Sequence, residues 1–307
     1  MKKFNVIHYT LISITMLSYN AISCSYKKLI STFGGTPYQE LIEKEYPIDQ
    51  QTRISILNTT GDTTVKSWNK KSIALIASIR KKKEEDLIDI IEDSTDPRVF
   101  TLRTAHSNPK SKATVDYSLM VPEDMKLHLS TDKGNIAVHN THGITMATTG
   151  HGNIRLCNMH NKTRATTTKS GSISCDSCSG PLQATTRRGN VTISDARDTI
   201  TTKTDQGKIT IKCDDLSEHS TINAASIWGN ISLYLPSTCD ADIQAATKKG
   251  TCVCEHMVTL RPQTTKLNNK AWDQFRRAVD GTIGEGRTPI QVSSVSSNIR
   301  IRTSKRS

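Results

Sequence analysis

From Lys126 to Cys254 the chain alternates aliphatic and polar positions in short runs. A glycine followed by a polar and then a small apolar residue punctuates them. The punctuation falls at Gly134-Asn135-Ile136, Gly152-Asn153-Ile154, Gly171-Ser172-Ile173, Gly189-Asn190-Val191, Gly207-Lys208-Ile209, Gly229-Asn230-Ile231 and Gly250-Thr251-Cys252. The spacings are 18, 19, 18, 18, 22 and 21 residues, and a fixed period near 20 is the mark of a solenoid. Two and four residues after the glycine lie apolar pairs such as Ile136/Val138, Ile154/Leu156 and Ile209/Ile211. Seven, five and three residues before it lie Leu127/Leu129/Thr131, Leu182/Ala184/Thr186 and Ile200/Thr202/Thr204. Period-two alternation on both sides predicts two short strands per coil, each turning one face inward. The glycine supplies a tight corner at positive φ, and the asparagine beside it tolerates the same region. The expected fold class is all-β: a single-stranded parallel β-helix of about eight coils of 18–22 residues.

Two coils depart from the template. Before Gly152, Ile144 and Met146 sit one place early; before Gly171, Arg164 falls in an apolar column. A one-residue bulge in each would restore the pleat, keeping threonines at Thr149 and Thr168 in their column. A final coil, Ile290/Val292/Ser294 and Ser297-Asn298-Ile299-Arg300-Ile301, is expected to close the array after an insertion at 255–289. Within that insertion 271–279 has the pattern of a short amphipathic helix that would cover the end or side of the stack. Upstream, Ile54-Ser55-Ile56-Leu57-Asn58 before Gly61 repeats the offsets, with further strands expected at 72–79, 99–103 and 115–121. Segment 84–92 reads as helix or strand. The division is therefore 1–23 leader, 24–49 tether, 50–125 N-terminal β portion, 126–301 repeats and 302–307 basic tail.

These residues resemble the bacterial putative adhesin family, a domain of unknown function built from stacked β coils. The resemblance runs from Ile54 to Ile301 and rests on four stretches in order. They are the early coil, the Val115-x-Tyr117-x-Leu119-x-Val121-Pro122 lead-in, the Gly-Asn-Ile repeats, and Gly281-Thr282-Ile283-Gly284-Glu285-Gly286. It implies an exported β-helix attached to the envelope, and it assigns no functional residues. Composition agrees with a narrow core, since only 5% of residues are aromatic and just 4 are Phe.

Met1-Lys2-Lys3, a short apolar stretch and Ala21-Ile22-Ser23-Cys24 have the build of a secretory signal peptide with a cut after Ser23. The last four residues also resemble a lipoprotein box, which would lipidate Cys24; Ala21 replaces the usual Leu. Plain cleavage and lipidation both stay open. The expected location is the periplasm, outer envelope or cell surface, with membrane attachment only through lipid on Cys24.

The formal charge of +12 is uneven, half of the excess lying in the last 53 residues. No helix-turn-helix, RNP-type or zinc-finger spacing accompanies the basic residues, so nucleic acid is not the expected partner. Arg187/Arg188 and Lys248/Lys249 occupy the same offsets before Gly189 and Gly250 and are the candidate binding residues for a polyanion. An envelope glycan, an anionic polymer or a surface protein fits such a face. His142 and His160, one coil apart, with Cys157 form the nearest approach to a metal site, alongside His139 and His151. Turn histidines are commoner than ligands, so no metal and no cofactor is expected. Cys175, Cys252 and Cys254 fall in inward columns, where cysteine packs as a small hydrophobe; Cys175-x-x-Cys178 is also spaced for a local disulfide. No nucleophile elbow appears, and Asp195/Asp198 and Asp214/Asp215 are the closest carboxylates to a cluster. The expectation is a non-enzymatic binding or scaffold surface, set against a purely structural envelope component and a polysaccharide-active β-helix enzyme.

Overall fold

A computed structural model describes residues 27–31, 38–48, 52–81, 88–93, 95–108, 111–217, 220–261 and 276–304. Two sheets of thirteen strands face one another. One holds the strands before each glycine and the other the strands after it, so every repeat crosses from sheet to sheet at the glycine. Adjacent repeats pair in parallel and in register, as in Ile136↔Ile154↔Ile173↔Val191 and Leu182↔Ile200↔Ile222. The predicted solenoid is present, with the eight expected coils between 126 and 303. Residues 53–68 and 99–122 each add one more.

The inward columns lie where the alternation puts them. Ile154, Leu156, Ile193, Ile200, Ile209, Ile211, Ile231 and Ile299 are fully buried. The glycine corner is built by close approach. Gly152, Gly189 and Gly207 have φ of 144°, 152° and 152°, and a Cβ on any of them would meet the preceding glycine carbonyl oxygen at 2.0–2.1 Å. The buried threonine three residues before a glycine closes the remaining acceptor. Thr149, Thr186 and Thr204 donate to the carbonyls of Gly134, Gly171 and Gly189 at 2.9, 2.9 and 3.2 Å.

The asparagine after the glycine does something other than tolerate a positive φ. Its side-chain oxygen accepts the backbone N–H of the equivalent residue one coil on: Asn135 from Asn153, Asn153 from Ser172, and Asn190 from Lys208, at 2.8–2.9 Å. Asp116, which accepts from Asp62, and Asp62, which accepts from Asn135, start this ladder, and Asn230 and Asn298 continue it to Thr251. Lys208 has no side-chain acceptor to offer Asn230, so the ladder breaks there. Lys208→Asn is therefore expected to raise stability by about 1 kcal/mol relative to Lys208→Ala, read as a higher melting temperature. The positive φ of non-glycine residues sits at the opposite corner, in a column of Asn140, Asn158, Ser177 and Asp195.

Several expectations are corrected. The last coil does not close the array: 288–303 lies between 222–235 and 241–254, pairing with both. The N-terminal end has the same inversion, because 99–122 stacks outside 53–68. There Thr104 bonds Asn58 at 3.0 Å and Tyr117 at 2.7 Å, and burial pushes the Tyr117 phenol up to about 12. Ile144 and Met146 are exposed, and Thr145, Ala147 and Thr149 fill the columns without a bulge. The one bulge is in Thr163–Ser170, after Thr167, so Thr167 and not Thr168 points inward. Tyr38–Pro47, placed in the tether, is a strand antiparallel to Ser72–Lys81. Of the expected helix, 271–275 lies outside the described residues, Arg276 and Arg277 are helical, and Ala278–Ile283 is a strand antiparallel to Ala241–Thr247. Ile88–Asp93 is a strand, whereas 82–87 lies outside the described residues, as do the leader, Cys24 and 305–307.

Candidate functional site

The row just before the glycines runs along one long edge of the solenoid, with its side chains set outward by the crossing between sheets. Parallel register orders it as Lys133, His151, Ser170 at one end and Arg188, Gln206, Trp228 toward the other. Ser296 and Lys249 complete it. The Ser296 N–H donates to Ile227 at 3.1 Å and that of Lys249 to Val295 at 3.0 Å. The candidate pairs Arg187/Arg188 and Lys248/Lys249 are exposed on this edge. They are four coil steps apart, about 19 Å, because 288–303 is intercalated between them.

Between the pairs stand Ile227 and Trp228, the latter 57% exposed and the most exposed aromatic ring among the described residues. Arg277 joins the edge by donating from Nη1 to the Lys248 carbonyl at 3.2 Å. Asp205 is the one acid in the rows between the two basic pairs. Trp228 was missed by sequence reasoning although the signal was available, because it holds the same offset before Gly229 that Arg188 holds before Gly189. An indole at a solvent corner offers a flat, largely exposed apolar face between the two basic pairs.

The histidine and cysteine candidates separate. His142 and His160 come together as the spacing suggested, their rings edge-to-face with centroids 4.4 Å apart. His142 Nδ1 lies 3.5 Å from Glu123, and His160 Nδ1 lies 3.2 Å from the Ser179 hydroxyl. Cys157 is instead in register with His139 on the outer face of the post-glycine sheet. His151 is bonded to Ser170 at 2.8 Å. Among the described residues, no three of His, Cys, Asp and Glu converge as metal ligands.

His139 binds its proton less readily than a free imidazole, first because it is partly desolvated and then because Lys66 and Arg155 are near. A histidine with a lowered folded pKa favours the native state above its unfolded pKa near 6.5. That contribution is lost as pH falls from there toward the folded value. His139→Gln should therefore show a smaller drop in melting temperature between pH 7 and pH 5.5 than the unsubstituted protein.

Cys175 and Cys178 are buried in one strand, as core packing requires, and are joined there as a disulfide. Cys213 and Cys252 are buried, and desolvation pushes both thiols up to about 12; Cys239 rises to about 11 for the same reason. Such thiols stay protonated and are poor nucleophiles. Three of the four paired carboxylates are hydrogen-bonded, and Asp214 and Asp215 line a pocket with Asp240 and Arg287. Asp195 bonds Ser177 and Arg197, Asp198 the Thr199 N–H, and Asp214 accepts from Ser304. No helix among the described residues is long and apolar enough to cross a membrane.

Residues 123–251 match the Toastrack family, DUF4097, which bears out the resemblance over the repeats. No curated protein matches the chain. Three solved structures are similar to it. A putative cell adhesion protein from Clostridium sporogenes is 11% identical with a TM-score of 0.27, covering 88% of this chain and 100% of its own. A putative adhesin from Parabacteroides distasonis is 9% identical with a TM-score of 0.42, and one from Bacteroides fragilis is 11% identical with 0.35. Each of these two covers 85% of this chain and 96% of its own.

Proposed function

We propose that this chain is an exported, non-enzymatic binding protein that holds an anionic envelope glycan along its glycine edge. The carrying observation is the exposed Ile227–Trp228 pair flanked by Arg187/Arg188 on one side and Lys248/Lys249 on the other. An indole face takes the C–H surface of a sugar ring, and separated cations engage acidic groups spaced along an extended polymer. The rigid coils hold these groups at fixed spacing, so little ordering cost falls on the protein side. Asp195, Asp198 and Asp214 each accept a hydrogen bond, and the thiols with raised pKa stay protonated, which supports a role without chemistry. Export is supported by the Met1–Cys24 leader pattern.

The test is retention of the full chain on an immobilised sulfated polysaccharide compared with an uncharged dextran. Binding to the anionic resin alone is expected, with elution moving to lower salt when Arg187, Arg188, Lys248 and Lys249 are all changed to Ala. Trp228→Ala should weaken binding while leaving its dependence on salt unchanged, because it removes no charge. Equal retention on dextran, or no effect of the fourfold change, would overturn the reading.

A further inference from the structure

A second groove lies on the other side of the glycine corner, on the outer face of the post-glycine sheet. Strands Ile136–Thr141, Ile154–Met159 and Ile173–Cys178 place Ala137, Arg155 and Ser174 side by side in one outward row. The next row toward the corner is Asn135, Asn153 and Ser172. Together they line an open groove of about 480 Å3. The groove exists because the long side chain of Arg155 has only Ala and Ser as neighbours one coil away on either side.

The groove turns outward one guanidinium, the NH2 of Asn153 and two hydroxyls, whereas the Asn135 NH2 is held by the Asp62 carboxylate and the Ser172 hydroxyl already accepts the Asn190 N–H. The side-chain oxygens of Asn135 and Asn153 are taken by the N–H groups of Asn153 and Ser172, so the remaining polar group of Asn153 is its NH2. Ser172 and Ser174 supply hydroxyls. No carboxylate lines the groove, and among the described residues none forms an ion pair with Arg155. From this arrangement we infer that the groove around Arg155 binds the carboxylate of a sugar acid, a uronate unit, with Asn153, Ser172 and Ser174 on its hydroxyls. A guanidinium with room on both sides can take a carboxylate in the two-pronged geometry that lysine cannot reproduce. His139, one outward row further along, binds its proton less readily chiefly through desolvation and then through Lys66 and Arg155, two cations on this part of the face.

This site is on different coils from the Trp228 edge and does not depend on it. It is tested by calorimetric titration of the full chain with sodium glucuronate, with glucose and acetate as companion titrants. Saturable binding of glucuronate is expected, at least tenfold weaker binding of acetate, and none of glucose. Arg155→Gln should weaken glucuronate at least tenfold, and Arg155→Lys should not restore it. Ala137→Leu fills the groove floor at an outward position and should abolish binding with the melting temperature retained. The Arg187/Arg188/Lys248/Lys249 variant should bind glucuronate as before. Unchanged affinity in Arg155→Gln, or glucose or acetate binding as tightly as glucuronate, would sink the inference.

Discussion

Ile209→Asp is expected to abolish cooperative folding at 37 °C, whereas its neighbour Lys208→Ala should melt within a degree or two of the unsubstituted protein. Ile209 is fully buried and stacks between Val191 and Ile231 in the centre of the post-glycine sheet. The substitution replaces three buried aliphatic carbons beyond Cβ with a carboxyl group, where the aliphatic columns leave it no partner. Truncation and desolvation together cost on the order of 5 kcal/mol, comparable with the whole stability of many domains. Lys208 is exposed, and its contribution to the ladder is its backbone N–H, which Ala keeps. Circular dichroism melts of the two variants decide the matter. Equal melting temperatures would mean that the inward and outward columns have been exchanged.

The columns were legible because period-two alternation and a repeated glycine leave few ways to fold. Coil order was not. Residues 222–235, 241–254 and 288–303 carry equivalent inward residues: Ile222/Ala224, Ile243/Ala245 and Ile290/Val292. Any of the three can stack on any other, so hydrophobic pattern alone cannot rank them. The asparagine ladder does rank them. Asn298 accepts from Thr251 and is itself bonded to Asn230, while the Thr251 hydroxyl is spent donating to Asn298. Thr251 suits the outer end, where no further N–H needs an acceptor, and Asn298 suits the middle; the break at Lys208 shows that this preference is not absolute. That distinction was present in the sequence but depended on reading asparagine as an acceptor between coils. Trp228 was passed over for a related reason. The offsets that mark the core columns also mark an outward row, in which an uncharged indole does not stand out as the basic pairs do.

Gly189→Ala is expected to cost about 4 kcal/mol, and the glycine column rather than its φ alone is the cause. At φ 152° an alanine is strained, a penalty on the order of 1–3 kcal/mol. The new Cβ would also lie 2.1 Å from the Gly171 carbonyl oxygen and 2.5 Å from its carbon, both backbone atoms of the coil below. That oxygen cannot retreat freely, because the buried hydroxyls of Thr167 and Thr186 both donate to it, at 3.1 and 2.9 Å. Displacing it leaves a buried donor unsatisfied, which adds about 1–3 kcal/mol. Gly284→Ala separates the two effects. Gly284 also has positive φ, at 64°, but the nearest neighbour of a new Cβ is the Asp240 side chain at 3.3 Å rather than backbone at 2.1 Å, so backbone strain with a slight shift of Asp240 should be felt. Chemical denaturation of both variants should therefore show Gly189→Ala losing at least twice the stability that Gly284→Ala loses. Equal losses would assign the glycine column to conformational preference alone and remove close stacking as the reason for its period.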